Sequence, residues 1–239
     1  PLTPIAFPPL TYQSLSGETK QLTVGQNKPL LVNLWASWCQ PCLKELVAFS
    51  DQAEALQKAG LEVSDMVLES IASAHATLRA DEMELGVALV DIGGGTTDLA
   101  VFCDGTIRHT CEIGLGGHNL TNDLSVGLRT PLQDAERLKE DFGCALSSLI
   151  KPNHVVDVPT VGDREPRKVT QKVLVDILQA RTVEILEMVN QDLINCGLKN
   201  KIHGGLVITG GTALLANLVD LAEQIFDLPV RLGYPSQIG

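Results

Sequence analysis

Aromatic residues, basic residues and long apolar runs are all scarce in this chain. Phe, Trp and Tyr make up 4% of the 239 residues, and 18 Lys and Arg stand against 29 Asp and Glu, giving a formal charge of −11. Nucleic-acid-binding domains usually carry a basic stripe, so this balance argues against nucleic acid as a partner. No apolar run reaches the ~20 residues that a membrane-spanning helix needs. The hydrophobic content of 44% nevertheless predicts a buried core.

The six cysteines are not arranged as a disulfide framework. Four of them lie singly among apolar residues: Cys103, Cys111, Cys144 and Cys196. We expect these four to be buried free thiols in a reducing compartment. The remaining two, Cys39 and Cys42, have the Cys-x-x-Cys spacing, and no second such pair or His pair follows that could complete a zinc site.

Cys39 and Cys42 stand where redox chemistry would need them. They end the stretch Trp-Ala-Ser-Trp-Cys-Gln-Pro-Cys (35–42), between an apolar run at 30–35 that predicts a strand and a predicted helix over 39–59. Free N–H groups at the helix start would stabilise a Cys39 thiolate, and Cys42 could resolve a mixed disulfide. The stretch resembles the thioredoxin superfamily, closest to TlpA-like reductases. The resemblance implies a partial βα segment over residues 1–63.

A second cluster of chemistry-bearing residues occupies positions 91–98, Asp-Ile-Gly-Gly-Gly-Thr-Thr-Asp. The loop between the predicted strands 86–92 and 98–103 consists of Gly93, Gly94, Gly95, Thr96 and Thr97. Glycines let a backbone approach a phosphate, their N–H groups can form an anion-binding concavity, and the threonines add hydroxyl donors. Asp91 could hold a hydrated magnesium or orient a water.

The glycine loop differs from the two commonest phosphate loops. It has no Lys in the Walker position, so it is not a P-loop. A strand follows it directly, so it is not a Rossmann strand-to-helix turn. Taken alone, three glycines favour a hairpin loop that binds nothing.

Two weaker patterns follow in the sequence. Glu136 and Lys139 are three residues apart on a predicted helix near 132–142, so they share a helix face, as an ordinary surface ion pair would. The apolar run 205–209 ends in Gly210, Gly211 and Thr212 before a predicted helix near 213–226. A glycine pair there could simply turn a strand into a helix.

Together these patterns resemble the nucleotide cleft of the actin-like ATPases, and segments 65–110, 116–139 and 204–235 resemble the FtsA cell-division family. The resemblance implies an α/β, actin-like (ribonuclease H-like) ATPase half over residues 64–239. Subdomain IIA would comprise 64–115 and 204–239, and subdomain IIB would comprise 116–203. ATP phosphates would bind the glycine loop with Mg at Asp91, Glu136 and Lys139 would hold the ribose and base, and Gly210 and Gly211 would pack against the adenine.

The resemblance also implies partners and a compartment. Members of the family work in the cytoplasm beneath the membrane, self-associate, and tether the tubulin-like division protein FtsZ, whose C-terminal tail docks on IIB. The other cleft wall and the terminal membrane helix of the family have no counterpart here. We therefore expect ATP binding without useful hydrolysis, and no autonomous membrane anchor.

Alternative functions follow from the two unlike parts of the chain. One is a thiol-disulfide oxidoreductase that uses Cys39 and Cys42, and another is a silent module that only docks a division partner. The junction near 58–63 fits either family, which indicates a chimera of two partial domains.

Overall fold

The computed structural model describes residues 10–13, 19–22, 69–151, 153–160, 162 and 165–235. They belong to two compact units, one formed by residues 1–77 with 234–239 and the other by residues 78–233. The predicted strand at 30–35 and the predicted helix at 39–59, with Cys39 and Cys42, lie outside the described residues.

The first unit contains a short hairpin and one helix among its described residues. Strand β1 (Leu10–Gln13) pairs antiparallel with strand β2 (Thr19–Leu22). Helix α1 (Glu69–Thr77) lies within residues 66–79, where apolar residues at helical spacing predict a helix.

The second unit is built on a five-stranded mixed sheet. Its strands are β3 (Val87–Ile92), β4 (Thr97–Cys103), β5 (Thr106–Ile113), β8 (Leu206–Thr209) and β9 (Val230–Leu232). Their order is β5-β4-β3-β8-β9, with β3, β8 and β9 parallel and β4 and β5 antiparallel to their neighbours. The central strand β3 is buried along most of its length because its residues are almost continuously apolar.

The turn between β4 and β5 forms as its sequence predicts. Asp104 and Gly105 both have positive φ, 53° and 68°. A two-residue turn with both φ angles positive matches the right-handed twist of the flanking strands, and Asp-Gly is among the pairs that tolerate it best. The local sequence therefore sets this register.

Helices cover the sheet. They are α2 (Ala80–Leu85), α3 (Gly117–Leu128), α4 (Leu132–Phe142), α5 (Gln171–Asn195) and α6 (Leu218–Phe226). Pro131 separates α3 from α4 and stands directly before the first residue of α4. Strands β6 (Val155–Val158) and β7 (Arg167–Thr170) pair antiparallel and form a two-stranded ribbon.

The spacing of the apolar residues over 169–196 predicts a single buried stripe along the long helix α5, formed by Val173, Ile177, Val183, Leu186 and Leu193. This prediction was partly wrong. Leu186 and Leu193 are fully buried, but Val173 is 45% exposed. Helix α5 packs against α3, α4, α6 and the sheet, so its buried surface is wider than one stripe and includes Leu174 and Leu178. A helix enclosed on several sides does not follow a single amphipathic pattern.

The helix predicted over 213–226 begins later than expected. A short 3-10 turn (Gly211–Leu214) follows β8, and the chain then runs extended before α6 begins at Leu218. Asn217 has a left-handed backbone with φ of 59°, and Ala145 N donates to Ala216 O at 2.8 Å. This bridge holds the chain extended, so the helix cannot start at the glycine pair.

The thiols of the second unit match the prediction in part. Cys103 and Cys144 are buried, Cys111 and Cys196 are half-buried, and all four are free. None of the helices in the described part of the chain is both long and apolar enough to cross a membrane.

Candidate nucleotide site

The glycine loop lies at the carboxyl end of β3, beside the glycine pair that follows β8. Strands β3 and β8 are parallel, with Asp91 opposite Thr209 in the register, so both loops leave the same edge of the sheet. Within the loop, Gly93 N donates to Thr96 O at 2.9 Å. The parallel pairing thus brings together two patterns separated by more than a hundred residues in the sequence.

Gly210 is required by the close approach of these two loops. Its φ is +92°, and a Cβ atom there would lie 2.5 Å from Asp91 Oδ1 and closer still to Ile92 O. Any larger residue would combine a strained backbone with a steric clash. Gly211, in contrast, has no atom within 4 Å of a Cβ position, so its side faces open space.

The first turn of helix α3 fixes the orientation of the glycine loop. Gly117 N donates to Gly93 O at 2.9 Å, and His118 N donates to Gly94 O at 2.8 Å. A Cβ atom on Gly116 would lie 2.8 Å from both carbonyl oxygens, so this approach also needs a glycine. The loop carbonyls therefore satisfy the free N–H groups of the helix start.

This orientation determines where the loop amides point. In a trans peptide the N–H lies opposite the C=O, so the N–H groups of Gly94 and Gly95 point away from α3. Both residues are exposed, and within the described part of the chain their amides have no acceptor. Two adjacent exposed N–H groups form a concavity suited to an anion.

The threonines of the site hold the loops in place. Thr212 Oγ1 donates to Gly93 O at 3.0 Å and so ties the glycine pair to the glycine loop. Thr97 is fully buried, and its hydroxyl donates to Leu115 O at 2.8 Å, inside the fold. Thr96 Oγ1 donates to Asp98 Oδ2 at 3.3 Å.

Glu136 and Lys139 form the expected pair, and the pair is anchored on α3. Lys139 Nζ lies 2.9 Å from Glu136 Oε2, 2.8 Å from Thr121 Oγ1 and 3.2 Å from Gly117 O. Thr121 Oγ1 also contacts Glu136 Oε2. Lys139 thus uses all three of its N–H donors, and only 13% of its side chain is exposed, against 39% for Glu136.

The electrostatics of this network favour an ionised Glu136. Burial raises the pKa of its carboxyl, but hydrogen bonds from Thr121 and Lys139, with the charges of Lys139 and His118, outweigh burial and lower the pKa below its usual value. Gly117 contacts both the glycine loop through its N–H and Lys139 through its C=O. The phosphate side and the ribose side of the predicted site are therefore joined at one residue.

Sequence reasoning missed the contribution of α3. Gly116, Gly117, His118 and Thr121 all contact predicted site residues, and none was predicted to do so. The signal available was the Gly-Gly pair directly before a helix, since that pair permits close backbone approach.

Asp91 lies half-buried at the end of β3, next to the glycine loop. The described residues contain no group of three His, Cys, Asp or Glu side chains that could hold a metal directly. Magnesium is commonly held through one carboxylate, waters and substrate phosphates, and a single Asp91 beside a phosphate loop fits that mode.

Comparison with known families yields two partial matches. A family model described as "AhpC/TSA family" matches residues 5–111, which supports the thioredoxin-like segment. It covers less than half of the chain, and residues 88–111 are also matched by the second family model.

Solved structures of actin-like proteins share the fold. MreB5 of Spiroplasma citri bound to ADP superposes with a TM-score of 0.60 at 21% identity, over 92% of this chain and 76% of that one. PilM in the PilM-PilN type IV pilus biogenesis complex gives 0.59 at 18% identity, over 80% and 48%. The predicted actin-like α/β fold is thereby confirmed.

The second family model, "Cell division protein FtsA", matches residues 88–239. FtsA of Pseudomonas aeruginosa is 45% identical over 185 residues, 77% of this chain and 44% of that protein. FtsA of Neisseria meningitidis is 43% identical, over 80% and 47%, and FtsA of Escherichia coli K12 is 38% identical, over 77% and 46%. The chain therefore spans less than half the length of these relatives, and it belongs to the FtsA family of cell-division proteins.

Proposed function

We propose that this chain is a nucleotide-binding part of a cytoplasmic cell-division scaffold, with ATP as its ligand. The observation that carries the proposal is the outward orientation of the Gly94 and Gly95 amides, fixed by α3. Related actin-like folds bind such nucleotides: the MreB5 protein of Spiroplasma citri was crystallised with ADP and with AMPPNP.

In this proposal the contacts with the ligand are divided among Gly94, Gly95, Asp91, Glu136 and the Gly210–Gly211 backbone. The amides of Gly94 and Gly95 bind phosphate oxygens, and Asp91 holds a magnesium ion through water. Glu136 accepts hydrogen bonds from the ribose hydroxyls, because its lowered pKa keeps it ionised. The Gly210–Gly211 backbone offers a flat surface to the base.

The same residues predict binding without useful turnover. Phosphoryl transfer depends on donors that surround the transferring group and on an oriented water. The described residues provide donors from one side of that group. We expect a dissociation constant on the order of 0.1–1 mM for Mg-ATP, equivalent to roughly 4–5 kcal/mol.

Titration calorimetry with Mg-ATP and with adenosine tests this proposal. Wild type should bind both ligands, and Asp91→Ala should lose about tenfold in affinity for Mg-ATP while keeping its affinity for adenosine. Asp220→Ala, an exposed carboxylate on α6, is the control and should match wild type. Absence of Mg-ATP binding at 10 mM, or submicromolar binding with steady phosphate release, contradicts the proposal.

We also propose that the partner is FtsZ, docked through its C-terminal tail on the predicted IIB subdomain, residues 116–203. A groove of about 580 Å³ between α3 and α5 supports this assignment. It combines the exposed Val173 and the half-buried Ile177 with four charged residues, Asp123, Asp176, Arg181 and Glu184, of which Arg181 is ion-paired with Asp123 and Glu184. A short peptide with apolar and charged residues matches such a surface.

Fluorescence anisotropy with a labelled FtsZ tail peptide tests the docking proposal. Val173→Asp should weaken binding about tenfold, since it places a charge in the groove. Leu214→Asp, at a 71% exposed position outside the groove, is the matched control. Equal affinities for the two variants would place the tail elsewhere.

A second candidate function, thiol-disulfide exchange at Cys39 and Cys42, rests on the AhpC/TSA match over residues 5–111. Insulin reduction measures it directly. Turnover comparable to that of an intact thioredoxin, abolished by Cys39→Ser, would make this the main activity, whereas we expect little turnover.

A further inference from the structure

His118 occupies a position over the glycine loop that the proposed function does not yet use. Its backbone N–H donates to Gly94 O at 2.8 Å, while its imidazole ring lies beside the same glycine. A Cβ atom on Gly94 would lie 3.0 Å from His118 Cε1 and 3.2 Å from Nε2. The residue therefore contacts the loop twice, once through its backbone and once through its side chain.

The ring is exposed and lies between the two halves of the site. The side chain of His118 reaches solvent, as Gly94 and Gly95 do. Its charge is also among those that counter burial and hold the pKa of Glu136 low, so the ring is within electrostatic reach of the ribose side. The imidazole therefore lies beside Gly94, one of the two residues whose amides are proposed to bind phosphate.

Lys139 and Asp91 are also charged residues of the site, but neither is suited to donate a hydrogen bond to a phosphate. Lys139 is paired with Glu136 and has all three N–H donors in use. Asp91 is an acid. His118 is the side-chain donor next to Gly94 whose ring remains exposed, and an imidazole N–H donates well to phosphate oxygens.

We propose that His118 is a phosphate-contacting residue of the nucleotide site, donating from its imidazole to a phosphate of the bound polyphosphate. This inference rests on the proposed nucleotide-binding function. It predicts that the contribution of His118 depends on the phosphates of the ligand and is absent for the nucleoside.

The test compares three ligands on His118 variants by titration calorimetry: Mg-ATP, Mg-ADP and adenosine. His118→Ala should weaken Mg-ATP binding about five- to tenfold and leave adenosine unchanged, as expected for loss of one charge-assisted hydrogen bond. His118→Gln keeps an N–H donor without charge, so its affinity for Mg-ATP should lie between those of wild type and His118→Ala. The backbone bond from residue 118 to Gly94 O persists in both variants, so the loop orientation is preserved.

His203→Ala, at an exposed histidine before β8, is the matched control and should bind all three ligands as wild type does. Circular dichroism melting of each variant reports whether the fold is intact. If wild type binds Mg-ATP and His118→Ala binds it equally well, this inference is wrong while the proposed function stands. If His118→Ala loses adenosine as much as Mg-ATP, the residue has a structural role and the inference is again wrong. A wild type that binds no nucleotide overturns both.

Discussion

The two sides of the proposed nucleotide site are held together by different kinds of contact. The phosphate side is made of backbone: loop carbonyls bound by the N–H groups of α3, and glycines at 116 and 210 where a Cβ would clash. The ribose side is made of side chains, with Lys139, Glu136 and Thr121 in one network. Backbone contacts tolerate no change in residue size, whereas a side-chain network tolerates changes in size but not in hydrogen-bonding capacity.

The largest expected loss of stability comes from a substitution on the phosphate side, which is made of backbone. Gly210→Val should destabilise the fold by about 3 kcal/mol or more, because it adds a clash with Asp91 and Ile92 to a positive φ. Urea unfolding followed by circular dichroism measures the loss. Gly114→Ala, with no atom within 4 Å of its Cβ position, should change stability by less than about 0.5 kcal/mol. Similar losses in both variants would refute the steric argument.

On the ribose side, the loss of hydrogen bonds rather than a change in side-chain size should lower the free energy of unfolding. Lys139→Met keeps the length and apolar stem but leaves Glu136 and Thr121 without their common donor, at a cost of about 2 kcal/mol. Lys172→Met removes an exposed ion pair with Asp176 and should cost less than about 0.5 kcal/mol. Urea unfolding of the two variants measures the difference. Equal losses of stability would show that the network contributes no more to stability than an exposed ion pair.

A smaller loss of stability should follow from removing the hydrogen bond that joins the glycine loop to the glycine pair after β8. Thr212→Val removes the hydroxyl that donates to Gly93 O at 3.0 Å and keeps the shape, for a loss of about 1 kcal/mol. Thr212→Ser restores the hydroxyl and should recover most of the stability. A Ser variant as unstable as the Val variant would assign the effect to the methyl group.

The smallest effect concerns pH. The pKa of Glu136 is lowered in the folded state, so its contribution is present above the pKa of the unfolded chain and is lost as pH falls through the folded pKa. Because Glu136 is 39% exposed, we expect this contribution to stay below about 1 kcal/mol. The stability difference between wild type and Glu136→Gln, measured at pH 6 and at pH 3.5, should therefore shrink at the lower pH. A difference that grows toward acid pH would contradict the sign.

Much of the sheet and of the site was predictable from short-range patterns. The apolar run at 87–92, the Asp104-Gly105 turn and the glycine loop all lie where the sequence places them. The Glu136–Lys139 pair follows from the helical period alone. Each of these signals arises within a few residues, because strand pairing, turn conformation and helix spacing depend on local backbone geometry.

Other features were decided by contacts between distant segments. The late start of α6 depends on the bridge between Ala145 and Ala216, and the exposure of Val173 depends on how α5 is enclosed. The Thr97 hydroxyl faces inward because Leu115 O lies within reach. The sequence alone predicted a glycine loop at the end of β3, but only packing against α3 determined which way its amides point, since a peptide plane takes its orientation from the partner that its carbonyl binds.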